Sequence, residues 1–165
     1  MKQLTASEVQ FFLVISAIVA FGFGDGITAV MLMHFNGYVA EYSAVLRYFA
    51  VKNGLIAMFF FKVITATILI SIPLFAQKKD GSETWKINGF LLAFTLGGAA
   101  ATIGNLGVII TGRVFVQPET VIISFILLLA VLVELGDILD QRVMKLRSTT
   151  RALLTEEEWI EVVYS

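Results

Sequence analysis

Four apolar stretches, each about long enough to cross the roughly 30 Å hydrocarbon core of a bilayer, constrain this chain more than any other feature. They run from about Val9 to Phe35, from Gly54 to Ala76, from Ile87 to Thr111 and from Val121 to Leu139. Hydrophobic residues make up 58% of the chain and charged residues 15%, which is too little charge for an ordinary soluble surface. The expected fold is all-α: a polytopic membrane protein built as a four-transmembrane-helix bundle, a single transmembrane domain followed by a charged, amphipathic tail over residues 140–165.

The first apolar run is about twice the length of a signal-peptide core and contains Asp25, so it is expected to be a retained helix. The chain has no cysteine, which removes disulfides, thiolate metal sites and thiol nucleophiles. A net charge of −1 argues against a polyanion-binding protein, and no nucleic-acid partner is expected.

Charge is unevenly placed, and it sets the expected topology. With four crossings, Lys2, Lys78, Lys79, Lys86, Arg142, Lys145, Arg147 and Arg151 fall on the side of the termini and the second connection. Arg47, Lys52 and Arg113 fall on the other. The excess of positive charge predicts a multi-pass protein of the cell membrane with both termini cytoplasmic. The basic run after Asp140 is expected to attract anionic lipid headgroups. Thr155 followed by Glu158 has the spacing of a capping box, so Glu156 to Tyr164 reads as a short acidic helix.

The connections differ in kind. Gln77 to Lys86, with Asp80-Gly81, reads as a short turn, and Pro118 suits the first turn of the last helix. From Gly37 to Asn53, Tyr38, Tyr42, Val45, Leu46 and Phe49 recur at helical spacing. Three of the chain's four tyrosines lie there, as expected of a helix lying at a membrane interface. It reads either as an aromatic belt or as a lid or docking element.

The polar residues inside the apolar runs carry the main inference. Asp25 precedes His34 by nine residues, Lys62 follows Gly54 by eight, and Asn105 precedes Gly112 by seven. At about 1.5 Å per residue all three lie at a similar depth, roughly 10 to 14 Å below one surface. A lone charge at that depth costs several kcal/mol, so Asp25 and Lys62 are expected to pair. Asn105, Thr28, Thr65 and Thr102 are expected to supply further hydrogen bonds, with His34 and Glu41 at the mouth of the resulting pocket. The cluster is either a clasp that fixes helix packing or a ligand, ion or proton site.

Small residues from Ala93 through Gly97, Ala100, Ala101, Gly104 and Gly107 predict that the third helix is central. Pro73 is expected to bend the second helix or end it early. Glu134, Asp137 and Asp140 form a second acidic group near the opposite end of the fourth helix, expected to pair with Arg142 or with a partner subunit, or else to admit a cation or proton. One histidine and no cysteine leave little for a metal, and no nucleophile elbow, zinc-protease helix or phosphate loop is present. No metal and no cofactor are expected, and no catalytic residues are assigned.

The run Asp25-Gly26-Ile27-Thr28, then Glu41, Lys62 and Asn105, resembles a poorly characterised group of small prokaryotic four-helix membrane proteins. There the first hairpin reads Asp-x-x-Thr, then Glu-x-Asn-Pro, then a lysine in the next helix. The resemblance spans roughly Phe21 to Asn105; Ser43-Ala44 stands where that pattern has Asn-Pro, and the segment from Tyr42 to Asn53 is longer. It implies a similar bundle and the same polar residues, and it implies no activity.

Three functions are compatible with these features. The first is a non-catalytic subunit or scaffold of a membrane complex or homo-oligomer, whose partners are the lipid bilayer and other membrane subunits or copies of itself. The second is a small oligomeric transporter or ion- or proton-conducting protein using Asp25, Lys62 and Asn105. The third is a membrane-embedded enzyme acting on a lipid-like substrate through Asp25, His34 and Glu41.

Overall fold

The structure is a computed structural model that describes residues 6–77 and 82–153. Among these every regular element is helical, and four helices are long and apolar enough to cross a membrane. The first is a continuous rod of three segments: α1 (Ala6–Ala17), a π-helical stretch (Ile18–Gly24) and α2 (Asp25–Asn36). The others are α4 (Leu55–Ala76), α5 (Thr84–Thr111) and α6 (Pro118–Leu153), with a shorter α3 (Ala44–Asn53) between α2 and α4. Residues 78–81 of the expected turn, and the acidic helix expected over Glu156 to Tyr164, lie outside the described residues.

Local chemistry marks the element ends. Gly37, Gly54 and Gly112 have φ of 82°, 88° and 68° and close α2, α3 and α5, a backbone region that a Cβ disfavours. The helical spacing after Gly37 is only partly realised. Tyr38–Ala40 makes one 3₁₀ turn, Glu41 and Ser43 are extended, and the α-helix starts at Ala44. Ser43 is the reason: its hydroxyl accepts the Leu46 N–H at 3.4 Å, while Glu41 accepts the Ser43 N–H at 2.9 Å. An N-cap of this kind requires non-helical backbone at the serine. α4 continues through Pro73 and ends three residues later, at Ala76.

The helices form an open row, with α4 and α6 at its edges. The first helix packs on α4 through one set of small residues: Gly22 faces Ala66, and Gly26 faces the Phe59 ring. It packs on α5 through another, where Gly98 lies directly on the Phe21 backbone. α5 in turn takes α6 against Gly89, which meets the Leu132 carbonyl, while Gly136 of α6 meets the Trp85 carbonyl and Lys86 Cα. Between helices this apolar, close backbone approach replaces the hydrophobic drive available in water. α5 is therefore central, but not through all the residues expected. Ala93 is buried and Gly97 lies under the Phe125 ring, whereas Ala100 and Gly104 are exposed; Gly89 and Gly98 make the closest contacts.

Two apolar clusters hold the row. Ala17, Ile70, Ile87, Leu91 and Phe94 form the larger. It is joined by an aromatic set in which Phe94 meets Phe21 at 4.9 Å and Phe125 at 5.3 Å, both edge-on. Phe125 passes over Gly97 to reach the first helix. Ala29, Met33, Ala50 and Met58 form the second, which seats α3 against α2 and α4.

If the glycine contacts set the α5–α6 distance, Gly89→Ala forces the two backbones apart and costs several times what an exposed change does. Gly104→Ala, with open space around it, is expected to stabilise by about 0.5–1 kcal/mol through helix propensity alone. Thermal unfolding of both variants in the same detergent checks the contrast.

Candidate functional site

The π-helical stretch ends at Asp25, whose N–H bonds back to the Ala20 carbonyl, five residues earlier, as well as to Gly22. Such insertions re-phase a helix and often mark functional positions. Here the widened turn is flanked by Gly22, Gly24 and Gly26, which let α4 and α5 approach on two sides. Asp25 is thereby presented between both neighbours.

The carboxylate of Asp25 has a partner on each. Oδ2 lies 2.6 Å from Lys62 Nζ of α4, and the two side chains are 15% and 13% exposed. Oδ1 accepts a hydrogen bond from the Asn105 amide of α5 at 3.1 Å. Asn105 also donates to Thr28 Oγ1 at 3.1 Å, while the Thr28 hydroxyl donates to the Gly24 carbonyl at 2.9 Å. One carboxylate thus joins three of the four long helices. A charge pair this short and this covered gains from low local dielectric, and it leaves a costly lone charge if either member is lost.

The other residues expected in the cluster are placed differently. Thr65 is exposed on α4 and makes no hydrogen bond to the site; Ala66, next in sequence, is the residue that faces the first helix. Lys62 reaches the pair because its four-carbon stem can run along the helix surface, which the short threonine cannot do. Thr102 lies beside Gly24, but its hydroxyl donates to the Gly98 carbonyl of its own helix at 2.8 Å. His34 is exposed and stands edge-on to Phe35. Glu41 accepts the Ser43 N–H. Among the described residues no hydrogen bond or ion pair links His34 or Glu41 to Asp25. No group of three metal-ligating side chains occurs among them either.

The acidic group of α6 divides into three separate roles. Asp140, 6% exposed, accepts the Trp85 and Lys86 N–H groups at 3.0 and 2.8 Å and so caps the start of α5. That contact satisfies orphan donors and favours the positive helix end. Asp137 pairs with Lys86 at 3.2 Å and accepts from Gln141 at 2.7 Å. Arg142, the expected partner, is exposed and joins neither among the described residues. Glu134 is exposed, has no partner among the described residues, and stands beside Ala130, Val131 and Leu135.

Two polar features were not among the expected site residues. Tyr42 donates to Glu119 at 3.1 Å, tying the first connection to the start of α6. Asn88 of α5 is 4% exposed, and neither polar atom of its side-chain amide has a partner among the described residues. Its spacing from Asn105 was the available signal: steps of four and three carry one helix face from Asn88 to Asn105.

The hydrogen bond to Glu119 raises the Tyr42 phenol above its ordinary value, with smaller contributions from burial and the Glu119 charge. A raised folded-state value means the tether is intact below the ordinary tyrosine pKa of about 10 and is lost as pH rises through the raised value. Tyrosinate absorbance in a Glu119→Gln variant is expected to show Tyr42 ionising at lower pH than in the parent.

For the central cluster, Asp25→Asn and Lys62→Met are each expected to cost about 3–5 kcal/mol, and the double variant to recover most of the loss. Thermal unfolding of the three proteins decides it; additive losses would mean that the pair is not energetically coupled.

No protein-family model, curated protein or solved structure matches this chain.

Proposed function

We propose that the chain is a multi-pass membrane protein acting as a non-catalytic subunit or scaffold, which assembles with further membrane helices through the open face of α6. One observation carries this reading: Glu134 is exposed in the middle of an apolar face. Ile123, Leu127 and Ala130 precede it at steps of four and three, and Val131 and Ile138 flank it. Such spacing is that of a helix-packing seam, with a small residue one turn from a polar one. A carboxyl group turned toward lipid is costly, whereas against another helix it can be hydrogen-bonded. Among the described residues, Lys86, Asp137 and Asp140 are already engaged.

In this reading Asp25 and Lys62 are a clasp. Their carboxylate and ammonium are satisfied by each other and by Asn105, which suits a structural role. The end bearing Gln77, Trp85 and Asp140 faces the cytoplasm, following the excess of lysine and arginine there. The connection that carries Tyr38, Tyr42 and, in α3, Tyr48 lies at the opposite interface, and Arg142, Lys145 and Arg147 sit among anionic headgroups.

A second reading, transport or ion conduction through the Asp25 cluster, is favoured by the π-helical turn that presents this residue. Oligomerisation would be required, since four helices in an open row enclose no pathway of their own.

The chain's lack of cysteine makes single substitutions clean reporters of contact. Leu127→Cys and Ala130→Cys are expected to cross-link in native membranes under mild oxidation or with a short bifunctional reagent, while Ile68→Cys on exposed α4 is not. Glu134→Lys is expected to abolish the cross-link without unfolding the chain. A monomer that cross-links at no α6 position would refute assembly through this face.

A further inference from the structure

The side of α5 that meets the first helix carries polar groups toward both ends. At one end Gly98 lies on Phe21, Thr102 beside Gly24, and Asn105 on Asp25 and Thr28. Followed the other way at the same alternating steps, this face reaches Asn88 and then Thr84. Thr84 accepts from the Gln77 amide at 3.4 Å, and Gln77 accepts from Gln10 of α1 at 3.1 Å. Three uncharged polar side chains thus close that end of the contact between the first helix, α4 and α5.

Asn88 stands one turn inside them, 4% exposed, with neither its amide nitrogen nor its amide oxygen paired among the described residues. A primary amide offers two donors and an acceptor, and a buried one without partners is destabilising where leucine would be harmless. Native interiors resolve this with a small bound molecule that both donates and accepts. Water meets the requirement: it can bond both amide atoms of Asn88, and Thr84 provides a third polar group one turn away.

We propose that Asn88 is a buried water site, supplied from the end guarded by Gln10, Gln77 and Thr84. The site stops there because the next residues inward are sealed: Leu91, Ala17 and Ile70 are buried, and Phe94 closes against Phe21. Hydration therefore enters the row from the Gln77 end and is separated from the Asp25–Lys62 pair by one apolar plug. This inference does not depend on assembly through α6.

The chain has four asparagines, Asn36, Asn53, Asn88 and Asn105, so selective ¹⁵N labelling of the full chain in nanodiscs yields four side-chain amide signals. Asn88→Leu and Asn88→Ser each identify the Asn88 signal by its loss. The expected result is a direct cross-peak between the Asn88 amide and water, with complete exchange in D₂O while the Leu91 backbone amide, followed in a parallel ¹⁵N-leucine sample, remains protected. Thermal unfolding gives the second readout: Asn88→Leu is expected to leave the midpoint unchanged or lower it, since it displaces a bonded water. No water cross-peak together with slow exchange would overturn the proposal. So would a midpoint raised by several degrees in Asn88→Leu, the signature of a dry, unpaired amide.

Discussion

The contact of Gly98 with the Phe21 backbone sets the geometry on which the rest depends. Helices as apolar as these gain little from hiding from lipid, and what holds them is how closely their backbones can approach. A side chain at position 98 would lift α5 off the first helix at the π-helical turn. Thr102 would then leave Gly24, and Asn105 would lose both Asp25 and Thr28. The Asp25 carboxylate is well satisfied only because α5 is held this near on one side and α4, through Gly22 and Gly26, on the other.

The same logic explains why the helices form a row. The first helix offers two glycine-lined faces and so accepts two neighbours. α5 offers one face to the first helix and, through Gly89, another to α6. α6 presents one such face, at Gly136, and α4, which has no glycine, meets the first helix through Ala66 and Phe59; both stand at the edges. α6 is the least covered of the four long helices; one side of it is held along α5 at Phe125, Leu132, Gly136 and Asp140, and its first turn is tied by Glu119 to Tyr42. The middle of its outer face is exposed.

Counting along the chain locates polar groups in depth, because helical rise is regular, and Asp25, Lys62 and Asn105 do meet at one level. It does not locate them around the helix axis. Thr65 is within a turn of Lys62 but turned outward, since the face of α4 that meets the first helix is set by Ala66 against Gly22. Thr102 is at the right level and on the right face, yet its hydroxyl is taken by its own backbone, a common outcome for threonine in a helix. The α6 carboxylates mislead for another reason. Asp140 serves residues 55 and 54 positions earlier in the chain, and nothing in local spacing announces a cap of that kind.

The sequence by itself determined the helical class, the number of long apolar segments and the level at which opposite charges would meet, because these follow from hydropathy, length and a constant rise per residue. It also placed Gly37, Gly54 and Gly112 at the borders of the apolar runs, and the structure shows that all three close helices with positive φ. Tertiary structure alone decided which neighbours touch, that the helices stand in a row, that Asp140 caps α5 while Glu134 faces outward, and that Asn88 is buried with no partner among the described residues. Those outcomes depend on rotation about each helix axis, which is fixed by glycine contacts between segments far apart in sequence and shifted further by the π-helical turn before Asp25.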